Sequence, residues 1–187
     1  MIAWATIDAA VKAAIVAASG VQDVQWHWQP GAMRALVSID LKRSPVARLG
    51  TDDRSYDYDA IAGTLTATQR GQRSFVVEVR CTSDRGEPSD TTPVDAADVL
   101  AQLMTRMWRQ SNLNALATAG CALSSIGQIV RQDFAVDGRD YGLAIVPITF
   151  LCADVDADTT EDWIDHFAGE LVVTTPDGTV IRTPFSG

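Results

Sequence analysis

The chain has 187 residues, of which 47% are hydrophobic and 21% charged, and it carries a formal net charge of −9. That is enough chain to bury a core without disulfides or a metal, and the composition excludes a disordered polymer. No uninterrupted apolar run approaches the roughly 20 residues a spanning helix needs, and the acidic balance argues against a surface dedicated to nucleic acid, which depends on clustered Lys and Arg.

The opening segment, MIAWATIDAAVKAAIVAASG, carries Asp8 and Lys12 inside its apolar pattern and lacks a basic leader. It therefore reads as the helix of a protein of intracellular origin, not as a signal peptide. The spacing predicts a helix over Thr6–Ser19, capped by Thr6, with Ile7, Val11, Ala14, Ile15 and Ala18 on one face and Gly20 ending it in a left-handed turn. Two strands are expected next. Val24, Trp26 and Trp28 alternate with Asp23, Gln25 and His27; then Ala35, Val37, Ile39 and Leu41 alternate with Arg34, Ser38 and Asp40. Pro30 and Gly31 predict an antiparallel hairpin between them, with both tryptophans in the core.

The stretch Lys42–Asp59 (KRSPVARLGTDDRSYDYD) has little apolar periodicity and reads as an extended loop or projecting arm. Its charge changes sign, from Lys42, Arg43 and Arg48 to Asp52, Asp53, Asp57 and Asp59. A second hairpin is expected from the alternation of Ile61, Gly63, Leu65 and Ala67, a turn at RGQR, and the alternation of Phe75, Val77, Val79 and Cys81. After a polar loop, Thr92 is placed to cap a long helix with Pro93 at its first position and Asp95 as the capping-box acid. Val94, Ala97, Leu100, Met104, Met107 and Trp108 are its expected inner face. A short link, Leu113–Ala119, leads to a third strand pair, Cys121–Asp133 and Tyr141–Cys152, turning at Asp137-Gly138. A last pair, Trp163–Thr174 and Thr179–Phe185, turns at TPDG. The expected fold class is α+β: an antiparallel β-sheet with an N-terminal helix and a long central helix packed on one face, plus a C-terminal β-hairpin over 161–187, all in one domain spanning 1–187.

Chemistry is poorly signalled. Phosphate-binding glycine loops, a GxSxG elbow and HExxH are all missing. The two histidines, His27 and His166, lack a nucleophile signature beside them, so the chain is not expected to be an enzyme or to hold a cofactor. Cys81, Cys121 and Cys152 are widely spaced in strand-like patterns and read as buried free thiols. The one metal-like spacing is Asp154, Asp156, Asp158 and Asp165, which matches the first, third, fifth and twelfth positions of an EF-hand loop. Thr159 stands where that loop needs Gly, and Asp165 where it needs a longer Glu, so an acidic solvated turn competes with calcium binding. Tyr56 and Tyr58, interleaved with Asp57 and Asp59, read either as a recognition surface or as half-buried positions of an edge strand.

The succession of RSFVVEVRCTSD, a polar loop, TPVDAADVLAQLMTRMWRQSNLNALATAGCAL, and the pair IGQIVRQDF and YGLAIVPITFLCAD resembles the tail-terminator and neck proteins of tailed bacteriophages. The similarity is to the lambda-type terminators and their contractile-tail relatives. It runs over about Ile7–Val173 and is one of pattern and order. It implies a structural virion protein, made in the host cytoplasm, whose copies form a ring, commonly hexameric. The ring would close the tail tube and join it to the head connector, with DNA passing through the lumen without sequence-specific binding and no membrane involved. Another connector ring of the neck, or a calcium- or ligand-binding module built on Asp154–Asp165, are the alternatives. Head-to-tail ring copies need two complementary surfaces. On that basis Lys42, Arg43, Arg48, Asp52, Asp53, Arg54, Tyr56, Asp57, Tyr58 and Asp59 are the candidate subunit interface.

Overall fold

A computed structural model describes residues 2–29, 36–59, 64–84, 94–136, 139–158, 168–174 and 180–186. In chain order these form α1 (Trp4–Ser19), β1 (Val24–Trp26), β2 (Val37–Arg43), β3 (Ala47–Asp59), β4 (Thr64–Asp84), α2 (Ala96–Met107), α3 (Gln110–Thr118), β5 (Cys121–Ile126), β6 (Val130–Arg131), β7 (Phe134–Val136), β8 (Arg139–Asp158), β9 (Ala168–Thr174) and β10 (Val180–Ser186). Strands β1 to β8 make one sheet along the path β1-β2-β4-β8-β5, with β3 also paired to β4, and β6 and β7 to β8. Strands β9 and β10 form a separate antiparallel pair, from Ala168↔Ser186 to Thr174↔Val180. The chain divides into two compact units. The first holds Met1–Asp53 and Arg70–Val155, and the second Arg54–Gln69 and Asp156–Gly187. Strands β3, β4 and β8 contribute residues to both.

Period-two alternation builds the core of the first unit. Phe75, Val77, Val79 and Cys81 of β4 and Ala144, Val146, Ile148, Phe150 and Cys152 of β8 are buried, while the residues between them on β4 are only partly covered. These side chains join Ile39 and Leu41 of β2 and the inner stripes of α1 and α2 in one cluster. Phe75 stacks on Phe150 across β4 and β8, with ring centroids 5.4 Å apart, and meets the edge of Trp4 at 5.5 Å. Helix α1 buries Ile7, Val11, Ala14, Ile15 and Ala18, the face its spacing predicts. Gly20 ends it at φ 79°, donating its N–H to Val16 O at 2.9 Å.

The antiparallel sheet with a long central helix is overturned on two counts. First, the sheet is mixed, because β1 pairs with β2 in parallel, Val24↔Ile39 to Trp26↔Leu41. A turn immediately after Trp26 replaces the expected hairpin: Gln29 N–H donates to Trp26 O, and the Trp26 N–H donates to Gln29 Oε1. Two outward amides of β1, those of Val24 and Trp26, thus find local acceptors in Gln22 O and Gln29 Oε1, which closes this edge to further pairing. Pro30 and Gly31 lie outside the described residues.

Second, the central helix is broken. Helix α2 ends at Met107, Arg109 is extended (φ −66°, ψ 140°), and α3 occupies the expected link. The buried Asn112 donates its side-chain amide to Arg106 O at 3.0 Å, satisfying a carbonyl that a continuous helix would have used. The N-cap of α2 is Asp95, whose carboxylate accepts from Ala97 N–H at 2.8 Å; Thr92 and Pro93 lie outside the described residues. The buried face is Ala96, Val99, Leu100, Leu103 and Met107, so Val94 and Trp108 are exposed instead of inner.

Two polar segments expected as loop and turn are strands. The arm forms the end of β2 and all of β3, and RGQR lies inside the 21-residue β4. Gly71 belongs there because a β-carbon on it would collide with the Asp52 carboxylate and the Arg73 guanidinium. The strand opposite β8 is interrupted where Pro147, which has no N–H, faces Gly127; Gly127 N–H still donates to Pro147 O at 2.8 Å.

Candidate functional site

Strand β3 is a long strand with little of its surface covered. From Pro45 to Asp57 every residue is exposed except Asp52, on both faces of the strand. Val46 and Leu49 are each 39% exposed and Tyr56 57%. A strand of this kind gains little from its own chain, because side-chain packing across strands is what stabilises a sheet. Besides its backbone pairing with β4, what holds it is ionic. Arg73 of β4 grips Asp52 with two parallel hydrogen bonds, Nη1 to Oδ1 at 2.7 Å and Nη2 to Oδ2 at 2.9 Å. The same Nη2 lies 3.3 Å from Asp154 Oδ2 on β8, and Arg48 Nε lies 3.2 Å from Asp52 Oδ1. One guanidinium therefore ties together carboxylates from β3 and β8 across β4, and the Asp52 side chain is only 4% exposed.

The expected interface residues separate into different environments. Lys42 is exposed on β2, in register with Glu78, which hydrogen-bonds Arg80. Arg43 is turned inward to Asp8 of α1, Nη1 to Oδ1 at 2.6 Å. Its guanidinium carbon sits 4.4 Å from the Trp4 ring centroid and 5.7 Å from that of Trp28. Burial raises the Asp8 carboxyl above the ordinary carboxylate value, and the charge and hydrogen bond of Arg43 oppose this. Arg48 and Asp52 belong to the ionic ladder. Asp53, Arg54, Tyr56 and Asp57 are exposed, with Arg54 5.2 Å from the Tyr56 ring centroid. Tyr58 and Asp59 end β3, and their side chains lie outside the described residues.

Trp26 is buried as expected, but Trp28 is 56% exposed and stacks on the Trp26 ring at 4.7 Å, because the chain leaves β1 between them. Signals for Arg73, Gly71 and the cation–π arrangement around Arg43 were present as residue types only. Nothing in their spacing brings Arg43 to Asp8 or Arg73 to Asp154.

The Asp154–Asp158 segment continues β8 as extended strand. An extended backbone sets alternate residues about 6.6 Å apart along one face and does not wrap them round an ion. Asp154 is paired to Arg73, and Asp165 lies outside the described residues. Among the described residues no group of three or more His, Cys, Asp or Glu could hold a metal ion. His27 is exposed in the turn after β1, and His166 lies outside the described residues. No helix among the described residues is long and apolar enough to cross a membrane.

The three thiols are free and buried. Burial pushes Cys81 up to about 12 and Cys121 up to about 11, and raises Cys152 as well. No protein-family model matches this chain, and neither does any curated protein.

Proposed function

We propose that the chain is a structural subunit that closes into a ring with its own copies in the neck of a tailed phage, terminating the tail tube and joining it to the head connector. The observation that carries the reading is β3: a 13-residue strand, ionically anchored at Asp52 and exposed on both faces around that anchor. Typical strands are about 5–6 residues long, and a strand exposed on both sides has no reason within one chain to extend so far. An assembling protein supplies the reason, since a neighbour then covers the face. The order of sequence stretches supports the narrower assignment to a tail terminator. Each copy would bring β3 to a different patch on its neighbour, as a head-to-tail ring requires.

Native mass spectrometry of the full chain, alone and mixed with purified tail tubes, tests this. One closed stoichiometry in either sample, with rings in negative-stain images, is the expected result. A chain that remains monomeric in both, and is missing from purified virions, overturns the proposal.

A further inference from the structure

Cys121 on β5 and Cys152 on β8 are direct partners in the antiparallel register. Direct partners send their side chains to the same face, with Cα atoms about 4.5–5.5 Å apart, inside the separation of roughly 4.4–6.8 Å that a disulfide spans. Both residues are almost fully covered, at 3% and 4% exposure, and both are thiols. A mainly apolar cavity of about 320 Å³ adjoins the two, open to the surface and walled by Gln72, Ala117, Gly120 and Leu151. Small residues at this end of α3 and its turn leave the space. Gly120 holds a left-handed turn at φ 81° with nothing near its missing β-carbon. The third thiol is far off along the sheet. Ser83 Oγ reaches Gly142 O, so Cys81 lies near the start of β8, about eight residues or roughly 26 Å from Cys152.

We propose that Cys121 and Cys152 are a paired redox site that closes to an intramolecular disulfide, with a small-molecule disulfide of the glutathione class as the oxidant entering through the cavity. One cysteine first loses its proton to solvent, a step that burial makes slow at neutral pH and that speeds up as pH rises. Its thiolate then attacks a sulfur of the small disulfide, breaking its S–S bond and releasing one small thiol. The second cysteine thiolate attacks the protein sulfur of that mixed disulfide and releases the other small thiol. Two protons and two electrons leave the protein thiols, and the oxidant is reduced to two thiols. The product staples β5 to β8 and closes the segment that carries β6 and β7 into a loop, which restricts the unfolded chain. In a reducing cytosol the pair stays open; in an oxidising surrounding it closes. This chemistry does not rest on the ring reading.

The full-length reduced chain is incubated with oxidised glutathione, alkylated under denaturing conditions and digested without reduction. Measured before alkylation, the intact mass is expected to fall by about 2 Da. The Cys121 and Cys152 peptides should be joined, and Cys81 should carry the alkyl group. The oxidised protein should melt several degrees higher than the reduced one and return to the lower value with dithiothreitol. A stable glutathione adduct without a link, a link that uses Cys81, or all three cysteines still alkylated after treatment with the oxidant overturns the proposal. The Cys81→Ala variant must still lose the two hydrogens, and Cys152→Ser must not.

Discussion

At Gly71 a missing β-carbon is what lets the Asp52 carboxylate and the Arg73 guanidinium meet over the backbone of β4. The residue is needed for close approach, not for backbone freedom, because it sits in a continuous strand and is not among the glycines of positive φ. Gly20 is the opposite case, with φ 79° and nothing within 4 Å of a β-carbon. Substituting Gly71→Ala should therefore destabilise the protein by about 1–3 kcal/mol through overpacking. The penalty should shrink in an Arg73→Ala background, where one clash partner is gone and the Asp52 carboxylate is no longer held against the glycine by Arg73. Urea unfolding of the two single variants and the double variant reads this as non-additivity. Additive effects would mean that Gly71 matters for some reason other than the ion pair.

Elements whose period reports burial were legible in the sequence, and elements without a buried face were not. The stripe of α1 and the alternations of β4 from Phe75 and of β8 from Ala144 each point to one covered side, and the covered residues follow. Strand β3 offers no such side, so its polar residues looked like a loop, and RGQR looked like a turn although it runs straight through β4. At the break between α2 and α3, Arg106 O accepts from both Arg109 N–H and the Asn112 side chain, contacts that propensity does not encode. The parallel β1 depends on a turn at Gln29 whose acceptor is a side chain.

The sheet itself carries a pH dependence. Its buried thiols Cys81 and Cys121 are held at about 12 and about 11 by burial. In the unfolded chain they ionise near 8.5, roughly the ordinary thiol value. Between those values the unfolded state has released protons that the folded state still holds. The stabilisation is therefore complete below about pH 8.5 and is lost as pH rises toward 11 and 12, by up to about 1.4 kcal/mol per pH unit for each thiol. Denaturant midpoints should fall steadily across that alkaline window, and Cys81→Ala should flatten the fall. An unchanged slope in that variant would show that Cys81 does not contribute.

For the whole molecule, charge is unevenly divided between the two units. Asp57, Asp59, Asp156, Asp158, Glu161, Asp162, Asp165, Glu170 and Asp177 fall in the second, against Arg54 and Arg182 alone among Lys and Arg. Copies that gather this unit around a ring bring like charges together, and salt at about 0.15 M screens such repulsion beyond roughly 8 Å. Assembly through β3 should therefore strengthen as salt is raised from low ionic strength, the reverse of an association driven by opposite charges. The apolar positions Leu49 and Tyr56 are the parts of β3 that a neighbour gains most by covering. The double variant Leu49→Ser, Tyr56→Ser should weaken self-association at least tenfold, the effect of about 1.4 kcal/mol, while the melting temperature of the monomer stays within a few degrees. Sedimentation at low and high salt measures both effects. If the double variant associates as the parent does, β3 is not the surface that copies share, and its exposed length must serve a different partner.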